Sequence, residues 1–451
     1  MMKNFKKIVA LLLCIVMAAS VAACGGNSGS GGNAGGNAGG NSVDGSPVSK
    51  FEAVEVSAPV TVEFWHTSGG DLGTELEAQI KEFNETNGKG ITVKGTYMGG
   101  YYDLLTKVKA SYGSSAMPDM IVAGAGGIEE LAEGGALADL AAYVARDNFD
   151  MENIPKSLRY YTEYYEGQII EFPYLVSTAI VFYNKAYFPD GFPTTLEDWA
   201  KQAEQITAAN PDVYGMSIPL DIGYIQRPIL KSLGAPGLTT DNGNAPATLD
   251  DGTMEKFLTD WGTWIDGGYC APLSVTDSTT KMGNDFLMGK TAAIVNSCAI
   301  MASYTESAKE ANIDIGYAPS VAYGGGAGAI GGGGLCVMSQ STDQEIAASW
   351  EFIKFLYEDD NVIANHKASG YLPITYSAAE SDEIKTFWEE NPGNKVAFEQ
   401  LDSATFNEWS KYLQKWRDYI TTVITDVLVS KSLNPAEGVA QLKRNASTTF
   451  R

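Results

Sequence analysis

From residue 60 onward the chain alternates between two spacings of apolar residues. Apolar residues two positions apart between Val60 and Phe64 predict a half-buried strand. Apolar residues three or four positions apart between Leu72 and Phe83 then predict a helix, with Asp71 as its N-terminal cap. The pattern continues with strands at 91–93 and 120–122, and with helices at 102–110 and from 128 to the glycines at 134–135. This β-α-β-α-β order predicts a parallel sheet covered by helices.

The second half of the chain repeats the alternation. The predicted elements are a strand at 180–183, a helix after the capping sequence at 195–198, strands at 292–295 and 328–338, a helix at 345–357 and a helical stretch at 409–430. No repeat of fixed period is present. The predicted fold class is α/β.

The first 49 residues have a different character from the body that follows. Three lysines precede an unbroken apolar run at 8–17, which is typical of a secretory signal and shorter than the roughly 20 residues that cross a bilayer. The sequence Val-Ala-Ala-Cys at 21–24 resembles the lipobox of bacterial lipoproteins, in which Cys24 becomes the lipidated first residue. Residues 25–49 are almost entirely Gly, Asn and Ser, a composition typical of a flexible tether. A plain signal peptide with a chance cysteine is the alternative, and the tether starting at Gly25 argues against it.

The charge and the cysteine content of the chain limit the kinds of partner and metal site that it can have. The chain has 31 Lys and Arg against 55 Asp and Glu, a net charge of −24, which disfavours nucleic acid and anionic lipid surfaces. Cys270, Cys298 and Cys336 are widely spaced and odd in number, so they predict neither a disulfide framework nor a zinc site. Cys298 and Cys336 lie in apolar runs and are predicted to be buried. With only His66 and His366 available, no multi-histidine metal site and no cofactor is expected.

Patterns typical of catalysis are incomplete. Gly289-Lys290-Thr291 imitates the end of a phosphate-binding loop, but the preceding glycine is one residue too early and the helix comes before the strand. The glycine cluster at 324–334 lies before and within a strand, where glycine marks close approach of a backbone or ligand. Glu389-Glu390 could form a glycosidase dyad, although a solvated helix face explains the pair better.

Aromatic residues are plentiful, with 23 tyrosines and 8 tryptophans. Trp65, the 97–102 segment, Tyr174 and Tyr371 follow predicted strands, where open α/β sheets place ligand crevices. Aromatic planes and short hydroxyl side chains match the faces and edges of a sugar ring. Most of these aromatics are equally compatible with a place in the core.

Several motifs resemble one protein family. They are Phe-Trp-His-Thr-Ser-Gly-Gly-Asp-Leu-Gly at 64–73, Tyr-Asn-Lys at 183–185, Ile-Gly-Gly at 330–332, Gly-Tyr-Leu-Pro-Ile-Thr at 370–375 and Asn-Pro-Gly at 391–393. In this order they resemble the extracellular solute-binding proteins of ABC importers. The nearest branch is that of the glycerol-3-phosphate-binding proteins, which are relatives of the maltose-binding proteins.

The resemblance implies a two-lobed periplasmic-binding-protein fold with a ligand cleft and a hinge of strands crossing near 171–175, 327–332 and 369–371. The implied organisation is a signal peptide at 1–23, the lipidated cysteine and tether at 24–57, one lobe at 58–172 plus 333–370, and a second lobe at 173–332 plus 371–451. It also implies a monomeric receptor, not an enzyme, held on the outer face of a Gram-positive-type cell membrane and delivering solute to ABC permease subunits.

The implied ligand site transfers to this sequence in part. Residues of the type that contact ligand in the branch are Tyr101, Ser177, Ser297, Gly332 and Tyr371. The acidic residue of the branch falls at Ala125, and its stacking tryptophan falls near Leu220 and Asp221, close to Tyr224. Its phosphate-binding arginine is expected at 409–411, where only Lys411 is basic, and Arg417 comes further along the chain.

These departures favour a neutral sugar or short oligosaccharide, because a desolvated phosphate needs charge-assisted donors. Trp409, Tyr224 or Trp65 would stack on the sugar, and Asp221 would accept its hydroxyls. Glycerol 3-phosphate or a glycerophosphodiester is the alternative ligand. An exported glycosidase or an adhesive lipoprotein is the alternative from another class.

Overall fold

The computed structural model describes residues 49–50, 52–159, 167–234, 238–239, 246, 249–326, 328–404, 410 and 412–450. The predictions for Cys24, the tether at 25–48, Trp409 and Lys411 lie outside these residues. In the described chain the strands are β1 Ser49–Lys50, β2 Val60–His66, β3 Ile91–Tyr97, β4 Met120–Gly124, β5 Ala138–Asp139, β6 Phe172–Asn184, β7 Ala293–Ser297, β8 Ile315–Pro319, β9 Val321–Ala322, β10 Gly325–Gly326 and β11 Ile330–Val337.

Helices cover the strands throughout. The α-helices described are Gly70–Thr86, Tyr101–Ser111, Gly127–Glu133, Ala141–Asp147, Leu196–Ala209, Arg227–Ser232, Thr253–Asp266, Ser278–Leu287, Met301–Glu310, Asp343–Leu356, Asp359–Ser369, Tyr376–Ala379, Asp382–Glu390, Pro392–Glu399, Leu413–Ile424 and Pro435–Thr449. Short 3-10 turns lie at Met151–Asn153, Lys156–Leu158, Cys298–Ile300 and Gln400–Asp402, and π-helical turns at Ile222–Gln226 and Thr425–Val429.

One seven-stranded sheet runs through the molecule in the order β3-β2-β4-β11-β6-β7, with β8 also paired to β6. Strands β3, β2 and β4 are parallel, as the sequence predicts, because a helix returns the chain between each pair. β11 is antiparallel to both β4 and β6, and β7 and β8 are antiparallel to β6. The parallel arrangement predicted from the alternation therefore holds only for the first part of the sheet.

Two strands connect the two ends of this sheet. β6 has 13 residues, and it pairs with β11 up to Thr178 and with β7 and β8 from Ala179 onward. β11 pairs with β4 from Gly333 onward, where the predicted lobe boundary falls. The crossings predicted near 171–175 and 327–332 coincide with β6 and with the described part of β11.

A third connection passes near Tyr371. The helix Asp359–Ser369 ends at Gly370, whose φ of 122° lies in the region that favours glycine. A Cβ at Gly370 would collide with the carbonyl oxygen of Cys298, beside β7. The Leu372 amide donates to the carbonyl oxygen of Val176 on β6 at 2.7 Å. This segment is therefore fixed to the crossing strand.

The core lies on both faces of the sheet. A large cluster of apolar residues extends along the whole sheet, and a smaller one lies under the helices Tyr101–Ser111 and Gly127–Glu133. Thr195 caps the helix Leu196–Ala209 as predicted, accepting from the Asp198 amide at 3.1 Å. Asp71 is not the cap of the first long helix, because that helix begins at Gly70 and Asp71 already lies in its first turn.

The cysteines, the length of the helices and the grouping of metal-binding side chains each bear on function. Cys270, Cys298 and Cys336 are buried free thiols, which confirms the prediction for the last two. Within the described part of the chain, no helix is long and apolar enough to span a membrane. The same residues contain no cluster of His, Cys, Asp and Glu suited to a metal ion.

Candidate functional site

Three hydroxyl groups meet where β6 and β7 lie side by side. The Tyr224 hydroxyl lies 3.1 Å from Ser177 Oγ on β6 and 3.3 Å from Ser297 Oγ at the end of β7. A phenol has one hydrogen, so Tyr224 donates to one serine at a time and can accept from the other. We call Ser177, Tyr224 and Ser297 the hydroxyl cluster. Three residues distant in sequence are thus brought together, and all three are among the predicted site residues.

Asp221 fixes the backbone that carries Tyr224. It is the N-terminal cap of the π-helical turn Ile222–Gln226, and its Oδ1 accepts from the Tyr224 amide at 3.2 Å. Burial raises the pKa of the Asp221 carboxyl, and the nearby positive charge of Arg417 and hydrogen bonds from backbone amides oppose that rise. The Asp221 side chain is half-buried, so part of it remains available to a ligand.

Tyr101 approaches from the other end of the sheet. Its ring packs on backbone that has no side chains, since a Cβ at Gly124 or Gly333 would lie 2.8 or 2.7 Å from ring atoms. Its hydroxyl is buried without a hydrogen bond of standard geometry among the described residues. It faces the hydroxyls of Tyr371 and Thr67, and burial followed by the proximity of Tyr371 raises the pKa of Tyr101 well above its usual value. A buried hydroxyl that lacks a well-formed hydrogen bond and lies beside a second tyrosine is a natural contact for a polar ligand.

Glycines in β11 let these rings approach. A Cβ at Gly331 would lie 2.6 Å from the Tyr224 ring. Gly332 has a φ of 106°, and a Cβ there would collide with the carbonyl oxygen of Leu175 on the neighbouring crossing strand. The interpretation of this glycine cluster as a place of close approach is consistent with these contacts.

Arg417 supplies a guanidinium group that the sequence spacing seemed to place too far along the chain. The group lies against Gly223, and its Nη1 is 3.7 Å from where a Cβ of Gly126 would be. Its Nε is buried and has no hydrogen-bond partner within the described residues. Arg417 thus lies near Asp221 although it follows the 409–411 stretch where the resemblance places the arginine. Long side chains of a helix reach back toward its N-terminus, so Arg417 bridges a distance that residue spacing alone does not reveal.

A pocket of about 240 Å³ continues beside Tyr101. It is lined by the exposed Tyr102, by the small residues at 124–127 and by Gln414, among others. Ala125, the position where the resemblance implies an acidic residue, lines this pocket. The small side chains leave room next to Tyr101.

The predicted stacking residues are placed differently. Trp65 is half-buried and packs with Met98 and Leu105 against the smaller core cluster. Tyr224 has one face of its ring on β11, as described above. Trp409 lies outside the described residues. Stacking of a sugar on Trp65, Tyr224 or Trp409 stays a prediction. Thr67 was not predicted as a site residue. The sequence did contain a signal for it, because Thr67 lies two residues after Trp65, at the end of a predicted strand.

Comparison with known proteins identifies the family. Residues 78–396 match the family described as bacterial extracellular solute-binding protein, and the chain belongs to this family. The sn-glycerol-3-phosphate-binding periplasmic protein of Rhizobium meliloti (strain 1021) is 26% identical over 381 residues, covering 80% of this chain and 85% of the relative. The protein of the same name from Shigella dysenteriae serotype 1 is 26% identical over 372 residues, covering 76% and 81%.

Solved structures share the fold. UgpB from Mycobacterium tuberculosis, in complex with glycerophosphocholine, superposes with a TM-score of 0.76 at 20% identity, covering 87% of this chain and 98% of that one. The GacH receptor of Streptomyces glaucescens, solved unliganded and with acarbose, gives 0.74 at 21% identity, covering 87% and 99%. The fold is the two-lobed α/β fold of periplasmic binding proteins, with a cleft between the lobes.

Family membership defines the class of protein. The chain is a solute-binding protein of an ABC importer, and such proteins work outside the cytoplasm, in the periplasm or at the cell exterior. The relatives are binding proteins and not enzymes. Ser177 lies on the crossing strand β6, and the rings of Tyr101 and Tyr224 pack on glycines of the crossing strand β11.

Proposed function

We propose that this chain is a receptor, not a catalyst, that captures a neutral sugar or short oligosaccharide between its lobes and delivers it to ABC permease subunits. The observation that carries the proposal is the convergence of hydroxyl side chains from both ends of the sheet. Ser177, Tyr224 and Ser297 form one cluster, and Tyr101 and Tyr371 form a second beside it. Such groups donate to and accept from sugar hydroxyls alike.

The charges around these hydroxyls support a neutral ligand. The guanidinium of Arg417 lies close enough to Asp221 to oppose the rise in the pKa of that carboxyl. One carboxylate and one guanidinium leave no formal excess of positive charge for a phosphate dianion, which needs several charge-assisted donors once desolvated. A carboxylate beside an arginine is well suited to accept a sugar hydroxyl. The pocket of about 240 Å³ beside Tyr101 offers additional space for part of a sugar.

A glycerol phosphate ester is the second candidate. Arg417 Nε is a buried donor with no partner in the described chain, and a phosphate oxygen would satisfy it. The relatives from Rhizobium and Shigella are named for glycerol 3-phosphate, and the UgpB structure holds glycerophosphocholine. A phosphodiester, with one negative charge, fits a single guanidinium better than a monoester does.

The proposal includes the setting of the receptor. Cleavage before Cys24 and lipidation of its thiol would hold a monomeric body on the outer face of the cell membrane, with residues 25–49 as the tether. The lobes would be 58–172 plus 333–370 and 173–332 plus 371–451, closing about the crossing strands when solute binds. Mass spectrometry of the purified chain would detect a diacylglycerol adduct on Cys24, and an unmodified or uncleaved N-terminus would refute the anchor.

Thermal-shift and calorimetric titrations test the ligand. The panel is maltose, maltotriose, glycerol 3-phosphate and glycerophosphocholine, each at about 100 times its expected dissociation constant, where binding adds about 2.7 kcal/mol. A neutral sugar is expected to stabilise the protein, with an affinity insensitive to salt. Stabilisation by the phosphate compounds alone would replace the proposed ligand by the second candidate.

Two variants separate the candidates further. Arg417→Gln is expected to weaken sugar binding about tenfold or less, and it would abolish binding of a phosphate ester that depends on its charge. Arg444→Gln is the matched control, because Arg444 is exposed on the helix Pro435–Thr449. Equal loss of binding in both variants would mean that the effect is not local to the site.

A further inference from the structure

His366 is buried directly behind Tyr371. Its imidazole is 1% exposed on the helix Asp359–Ser369, and Nδ1 lies 2.6 Å from the Tyr371 carbonyl oxygen. On its other side, Nε2 lies 2.9 Å from Nε1 of Trp388 on the helix Asp382–Glu390. The rings of Phe387 and Trp388 meet the imidazole edge-on, with centroids at 5.5 and 6.0 Å. Both ring nitrogens are therefore engaged, and the ring is enclosed.

The chemistry of the two partners fixes the tautomer. An indole N–H can only donate, so Nε2 of His366 must be the unprotonated acceptor. The proton is then on Nδ1, which donates to the Tyr371 carbonyl. A second proton on Nε2 would point at the indole N–H, so the site accommodates only the neutral ring. Burial, with a smaller contribution from the charge of Lys367, outweighs the hydrogen bond to Tyr371 and lowers the pKa of His366 to about 4.

Hydrogen bonds fix the backbone amide and carbonyl of Tyr371 and the amide of the next residue. Its amide donates to Ser369 Oγ at 3.1 Å, and the next amide, of Leu372, donates to β6 at Val176. His366 provides the remaining bond, at the carbonyl. Because the Tyr371 side chain lies beside that of Tyr101, the direction of its hydroxyl toward Tyr101 depends on these three bonds.

We propose that His366 is a positioning residue for solute binding, whose neutral Nδ1-protonated ring holds the Tyr371 backbone so that the phenol points into the cleft. This inference rests on the proposed function, since it takes Tyr371 as part of the solute site. The charged and titratable groups around His366 and Tyr371 are Lys367 paired with Glu383 at 2.6 Å, the Cys298 thiol and the Tyr101 phenol. His366 remains neutral at neutral pH, so its effect on affinity is constant there.

The test is the dissociation constant of the full chain for whichever of maltotriose and glycerophosphocholine binds, measured by calorimetry near pH 7.5. His366→Ala is expected to weaken binding at least tenfold. His366→Asn places an amide N–H near the Nδ1 position and is expected to stay within about threefold of wild type. His366→Gln reaches toward Nε2 instead and is expected to resemble the alanine variant. If His366→Ala fails to fold, the test is the difference between the dissociation constants of His366→Asn and His366→Gln.

Phe387→Leu is the structural control, because Phe387 packs on His366 without a polar contact to it. It is expected to lower the melting temperature and to leave the dissociation constant within about twofold. Wild-type affinity in the alanine and glutamine variants would overturn the positioning role and leave the proposed function intact. If Phe387→Leu weakened binding as well as lowering the melting temperature, affinity would simply follow stability, and the positioning role would be overturned too. Failure of the wild type to bind either compound would overturn the proposed function and this inference with it.

Discussion

The pH dependence of stability offers a quantitative test of the packing around His366. Its ring is enclosed by Phe387 and Trp388, and both nitrogens are bonded in a manner that requires the neutral form. The perturbation is a fall in pH from about 7 to about 5. The unfolded chain takes up a proton at its histidines in this range, whereas folded His366 stays neutral.

The magnitude follows from the two pKa values. Burial lowers the pKa of His366 from 6.5 to about 4 in the folded protein. Since the folded pKa is depressed, the stabilisation is fully present above pH 6.5 and is lost as pH falls toward 4. One pH unit within this window corresponds to about 1.4 kcal/mol. The free energy of unfolding should therefore fall by about 2 kcal/mol between pH 7 and pH 5 through this residue alone.

Urea denaturation of wild type and His366→Gln at about pH 7 and pH 5 measures this quantity. Burial also lowers the pKa of His66, so the pH dependence of one protein combines both histidines and only the difference between the two proteins isolates His366. The variant is expected to be less stable at pH 7, and the gap should narrow by about 2 kcal/mol at pH 5. A gap that stays constant between the two pH values would refute the reasoning.

Three further predictions follow from other contacts. Gly332→Ala should lower the free energy of unfolding by about 2 kcal/mol or more in a thermal melt, because its φ is positive and a Cβ meets Leu175; a wild-type melting temperature would contradict this. Tyr224→Phe should weaken solute binding about three- to tenfold in calorimetry through loss of its hydroxyl bonds, whereas unchanged affinity would remove Tyr224 from the site. Burial raises the pKa of Cys270 and Cys298 to about 12, so these two thiols should not react with Ellman's reagent until urea unfolds the chain; peptide mapping that shows rapid native labelling at either would mean that it is exposed.

The sequence predicted much of the first lobe. Strict alternation in β2 and helical spacing in the segment after it are local properties, and the structure confirms both. The direction of β11 could not be predicted in this way. Its pairing with β4 and β6 joins residues more than a hundred positions apart, and nothing in its own apolar pattern distinguishes a parallel neighbour from an antiparallel one.

The candidate site was predictable where a family motif carried it. Ser177 and Ser297, which the family resemblance implies as ligand contacts, both lie within hydrogen-bonding distance of the Tyr224 hydroxyl in the structure. The position of Arg417 could not be predicted, because residue spacing measures position along the chain and not the reach of a long side chain. From the sequence, His366 entered the argument only as one of two histidines, too few for a multi-histidine metal site. Its role could not be predicted, because its partners Tyr371 and Trp388 become its neighbours only when the chain packs together.

The central claim is that solute binds between the lobes against these hydroxyl groups. The most direct measurement is a crystal structure of the full chain with the compound from the panel that stabilises it most. The account predicts that the solute lies within hydrogen-bonding distance of the Tyr101 hydroxyl and of the cluster of Ser177, Tyr224 and Ser297, with Arg417 at its edge. Solute bound away from these groups, with the Tyr101 hydroxyl still without a partner, would contradict it.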